Sequence, residues 1–81
     1  MSRLAKLYAR IKNNPKTVRF DELEKILERS GFVGSFPGGG SSHKTFRHSS
    51  GLILTVPFRQ PYVLEIYVKR AIELIDAAGG L

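Results

Sequence analysis

HKTFRHSSGLILTVP, His43 to Pro57, is the stretch that decides the fold. Its first six residues alternate with period two. Lys44, Phe46 and His48 therefore share one face of a strand, and His43, Thr45 and Arg47 the other. Ser49-Ser50-Gly51 is a turn signal, because small and flexible residues satisfy tight backbone geometry. Leu52 to Val56, LILTV, is rich in β-formers, and Pro57, which has no N–H to give a ladder, is expected to stop the strand. Two such runs around a short turn read as an antiparallel pair.

Working outward, FVGSF at 32–36 is a further short strand, weakened by Gly34 and closed by Pro37 and the glycines after it. Before it, FDELEKILERS at 20–30 places Phe20, Leu23, Ile26 and Leu27 on one helical face. Asp21 and Glu22 suit the positive end of that helix's dipole. Gly31 fits the left-handed position past its end, with Phe32 folding back on Leu27. Residues 3–13 repeat the spacing with Leu4, Leu7, Tyr8 and Ile11, and Asn13-Asn14-Pro15 ends them. After the prolines of PFRQPY at 57–62, a helix begins near Val63. Its apolar stripe runs through Leu64, Tyr67, Val68, Ala71, Ile75 and Ala78, broadened by Ile72 and Leu74, and Gly79-Gly80 ends it.

The order helix, helix, strand, strand, strand, helix predicts an α+β fold. A three-stranded antiparallel sheet carries the last two helices on one face, and an extra basic helix precedes them. We divide the 81 residues into a basic leader, 1–16, and a domain, 17–81. A chain this short buries about 60–65% of its extended surface, so Leu, Ile, Val and Phe must supply the stability. It has no cysteine and hence no disulfide, which fits a reducing compartment. No apolar run approaches a membrane span, and residues 1–14 lack the apolar core of a signal peptide. The expected location is the cytoplasm.

The net charge is +6, which favours a polyanionic partner such as nucleic acid. The charge is uneven. Residues 1–19 hold six Lys and Arg and no acid, residues 20–30 four acids against two bases, and residues 31–62 only Lys44, Arg47 and Arg59.

Several chemistries fail on spacing. Two histidines without cysteine make a poor zinc site, and His43 and His48, five apart in one strand, point to opposite faces. Gly38 to Thr45 approaches the phosphate-loop pattern, but His43 replaces its second glycine and a strand follows where that loop needs a helix. Ser41 and Ser42 neighbour His43 without an acid near them in sequence, which disfavours a serine nucleophile.

General acid–base work on RNA needs less. A 2′-hydroxyl attacks its own phosphate once a base takes the proton, and imidazole suits that task. Lys44, Arg47 and glycine-rich backbone amides are placed to stabilise the negative charge that develops. By contrast His48, beside Ser49-Ser50-Gly51, reads as a turn or pairing residue, and Phe46 as core. A solvated loop histidine is the plainer alternative for His43.

GFVGSFPGGGSSHKTFRHSSGLILTVP with YVKRAIELIDAAG resembles the HicA toxin family of bacterial toxin–antitoxin systems. The likeness rests on Gly31-Phe32, on Ser41-Ser42-His43-Lys44-Thr45-Phe46-Arg47-His48, on Leu54-Thr55-Val56-Pro57 and on Tyr67-Val68-Lys69-Arg70-Ala71, in that order, over residues 12–79. It implies a double-stranded RNA-binding-domain-like fold with an α-β-β-β-α core. It implies a cofactor-free endoribonuclease that cleaves mRNA without a metal, with His43 catalytic; the residues we expect against the RNA are Gly40, Ser41, Ser42, Lys44 and Arg47. It also implies a cognate antitoxin of the HicB type. Two positions depart from the family pattern: Ser41 stands where a glycine precedes Ser-His, and Lys44 replaces a second histidine. A non-catalytic RNA-binding or antitoxin-binding module on the same fold is the alternative.

Overall fold

The structure, a computed structural model, describes residues 2–36 and 42–81. Three helices and three strands follow in the order α1 (Arg3–Asn13), α2 (Phe20–Arg29), β1 (Val33–Ser35), β2 (His43–Arg47), β3 (Ile53–Pro57) and α3 (Glu65–Ala77). The strands form one antiparallel sheet in the order β1-β2-β3. The expected α+β fold with a three-stranded antiparallel sheet is present.

One apolar cluster joins all six elements except β1, with which it is continuous through Phe32. From α2 it takes Phe20, Leu23, Ile26 and Leu27, the stripe read from the sequence. From the sheet it takes Phe46, Leu54 and Val56, and from α3 Val68, Ala71, Leu74 and Ile75. Helix α1 shares this core: Ile11 is fully buried, and the Tyr8 hydroxyl donates to Asp76 Oδ1 of α3 at 3.1 Å. Burial, with that bond and the Asp76 charge beside it, pushes the Tyr8 pKa up to about 12.

The helix ends follow local chemistry. Ser2 caps α1 by accepting the Ala5 N–H at 3.1 Å. At the end of α2, Gly31 takes φ +100°, and the N–H groups of Gly31 and Phe32 bond back to Glu28 and Leu27. This two-bond closure turns the chain and drops Phe32 into the core, 2% exposed.

Two expected boundaries move, and one residue leaves its expected place. Pro57 does not stop the strand before it but is its last paired residue, opposite His43. An edge strand tolerates a proline at its end, and the next ladder bond comes from Phe58 N–H to Ser42 O at 2.6 Å. Helix α3 starts at Glu65 rather than near Val63, because the Val63 N–H is taken by Val18 O at 2.8 Å and its side chain is buried. Leu64, assigned to the core stripe, is instead the exposed residue that precedes the helix.

Glycine at 34 meets a steric demand. A Cβ there would lie 2.6 Å from Lys44 Cε and 2.7 Å from Phe46 Cε1. The residue that weakens β1 as a strand is the one that lets two β2 side chains cross it.

Candidate active site

Strand β2 sorts its side chains by alternation. Phe46 points into the core at 1% exposure, and Lys44 lies on the same side, ion-paired with Glu24 of α2. The Lys44 ammonium also sits 5.2 Å from the Phe36 ring centroid and 5.6 Å from that of Phe46. His43, Thr45 and Arg47 face the other way, onto the side of the sheet where Val33, Ser35, Ile53 and Thr55 are exposed.

The open face has three rungs. Val33, Arg47 and Ile53 form one, Ser35, Thr45 and Thr55 the next, and His43 with Pro57 the last. Thr45 and Thr55 share a hydrogen bond between their hydroxyls at 3.0 Å, which satisfies both in the middle of the face. His43 and Arg47 are exposed at its two ends. Four residues of strand separate their Cα atoms by about 13 Å.

His48 has a different task. Its Nδ1 accepts the Ser50 N–H at 3.1 Å and lies 2.8 Å from Ser50 Oγ, while its ring leans on Phe32 with centroids 5.0 Å apart. The backbone closes the same turn through Gly51 N–H to His48 O and His48 N–H to Leu52 O, each at 2.9 Å. His48 thus builds the β2–β3 turn and is not directed at the open face.

Of the residues singled out from the sequence, His43 and Arg47 share the open face, and Ser42 is exposed beside His43. Lys44 does not join them; Glu24 holds it on the helix side. Gly40 and Ser41 lie outside the described residues. Among the described residues no three His, Cys, Asp or Glu gather as a metal-holding group, and no helix is long and apolar enough to cross a membrane.

Sequence reasoning did not single out a groove of about 910 Å³ on the helix side of the sheet, where β2 begins and β3 ends. Phe36, Lys44, Phe58 and Arg59 line it, with Arg19 and Asp21 from the start of α2. Its signal in the sequence was PFRQPY, an aromatic and a cation held between prolines.

Comparison with known proteins gives no match: no family model, no curated protein and no solved structure matches the chain.

Proposed function

We propose that this chain is a toxin-type endoribonuclease, of the HicA kind, that cleaves mRNA in the cytoplasm without a metal. The observation that carries the reading is an exposed imidazole, His43, at the head of a strand, on a sheet face it shares with Arg47 in a chain of net charge +6. The element order after α1, helix-strand-strand-strand-helix, is compatible with a double-stranded RNA-binding-domain-like core.

In the reaction, neutral His43 takes the proton of a 2′-hydroxyl. O2′ forms a bond to the adjacent phosphorus, and the bond from phosphorus to O5′ breaks. The departing O5′ takes a proton from the imidazolium or from water, leaving a 2′,3′-cyclic phosphate and a 5′-hydroxyl. Ser42 lies beside the reacting phosphate, and Arg47, about 13 Å along the strand, holds a neighbouring one. Lys44 acts from the groove side of β2.

The test is incubation of the purified chain with RNA in EDTA, followed by end-group mapping. The expected result is cleavage to cyclic-phosphate ends, slowed by about 10²–10⁴ in His43→Ala. Cleavage unchanged by that substitution would remove His43 from the mechanism.

A partner-binding role for the same face is favoured by Val33 and Ile53, 71% and 53% exposed on either side of Arg47. An antitoxin of the HicB type seated there would cover the open face, and its gene would adjoin that of this chain.

A further inference from the structure

The groove between the start of α2 and the open end of the β2–β3 pair, where β2 begins and β3 ends, holds two large aromatic rings that the fold leaves unburied. Phe36 is 54% exposed and Phe58 46%. Phe58 is held from behind, its ring set edge-on to Phe20 with centroids 5.1 Å apart and an interplanar angle of 65°. Its backbone N–H is bonded to Ser42 O at 2.6 Å. A braced ring with a face to solvent is a stacking platform, and a nucleobase is the flat ligand that such platforms take without regard to sequence.

The charges around the rings agree with that occupant. Glu24 is neutralised by Lys44, and Asp21 lies 3.6 Å from Arg19 Nε. Arg59 is exposed and has no ion-pair partner among the described residues. The groove therefore offers aromatic faces with a spare cation at its rim, the combination that tracks a single strand by stacking and phosphate contact.

Position completes the case. Lys44 and Phe58 of the groove are each next in sequence to one member of the His43–Pro57 pair. The Phe58 N–H bond to Ser42 O ties that ring to the residue before His43, so the rings lie at the same end of β2 as the imidazole. We infer that the Phe36–Phe58 groove is a nucleobase-binding subsite for single-stranded RNA, with Arg59 on the adjoining phosphate. The inference rests on the ribonuclease reading for its substrate class, and it makes the substrate an unpaired strand rather than a duplex.

The experiment uses the full chain carrying His43→Ala, so that binding is read without cleavage. A fluorescently labelled single-stranded RNA is titrated in EDTA at fixed salt. Phe36→Leu and Phe58→Leu keep apolar bulk but remove the ring face, and each is expected to weaken binding about tenfold. Arg59→Gln is expected to lower the salt slope by about one. An RNA series with one base removed at each position should reveal a position where the missing base weakens binding to the parent chain. At that position the Phe36→Leu/Phe58→Leu chain should show no such penalty.

Unchanged affinity in the leucine variants, or an equal penalty in both chains, overturns the subsite. So does the absence of RNA binding, or tighter binding to duplex than to single strand. Should Phe58→Leu fail to fold for want of its Phe20 contact, Phe36→Leu with the same RNA series decides the matter. RNA held through the groove yet never cut by the chain with His43 intact leaves the subsite standing and removes the nuclease. RNA cut at a rate indifferent to both rings does the reverse.

Discussion

His43 and His48 bracket one strand and do opposite work. His48 is spent on the turn, through Ser50, and on the ring of Phe32. His48→Ala is expected to destabilise the chain by about 1–2 kcal/mol in urea unfolding, because it removes a side-chain acceptor and a ring contact. The folded fraction should cleave RNA as before, the reverse of the pattern expected for His43→Ala. Gly34 is a second test at this scale. Gly34→Ala drives a methyl into the stem of Lys44 and the buried ring of Phe46. It is expected to cost about 1–3 kcal/mol by overpacking, read as a lower urea midpoint. Both roles were half visible in the sequence. Alternation separates the two histidines, and Ser49-Ser50-Gly51 marks the turn. No local pattern reports that β1 passes under Phe46, since that contact joins residues twelve apart in sequence.

Among the elements, α1 shows where local reading stops. Its helical spacing names Leu4, Leu7, Tyr8 and Ile11 without saying what they meet. The structure sets them against α2 and α3, and the Tyr8–Asp76 bond spans nearly the whole chain. The Tyr8 phenol, buried and bonded to Asp76, has a pH signature. The Tyr8 pKa lies above its ordinary 10, at about 12, so the folded chain favours the neutral phenol more than the unfolded chain does. Its contribution is complete below about pH 10 and is lost as pH rises toward 12. Tyr8→Phe should therefore be less stable than the parent at pH 8, and the gap should narrow in denaturation series carried from pH 9 to 12. The stripes of α2 and the core part of α3 were legible because burial on one helix face imposes its own period. The start of α3 was not, because Val63 is claimed by Val18, a partner 45 residues away whose bond no local signal announces. Pro57 was misread for a related cause: whether a strand tolerates a proline depends on its being an edge, which is a property of the sheet.

For the molecule as a whole, the excess of positive charge sets the expectation for RNA. Binding should weaken steeply with salt, and Arg47→Gln should lower the slope of log affinity against log salt by about one while weakening all sequences alike. Anisotropy titrations at several salt concentrations, with His43→Ala in the background, check this. The candidate site was legible in part, for His43 and Arg47, because both lie on one strand and a strand has only two faces. The groove was not, because it draws on the start of α2, the end of β1 and the segment after β3, which only the fold brings together. The same two-faced geometry has a further consequence. Phe46 must enter the core, and His43 stands three residues from it, an odd number. Parity alone then sends the imidazole outward and turns Lys44 inward. A one-residue insertion between Lys44 and Phe46 would exchange them, presenting an amine to the open face and sending the imidazole toward Glu24. The pressure that keeps a phenylalanine ring dry is thus also what aims the histidine.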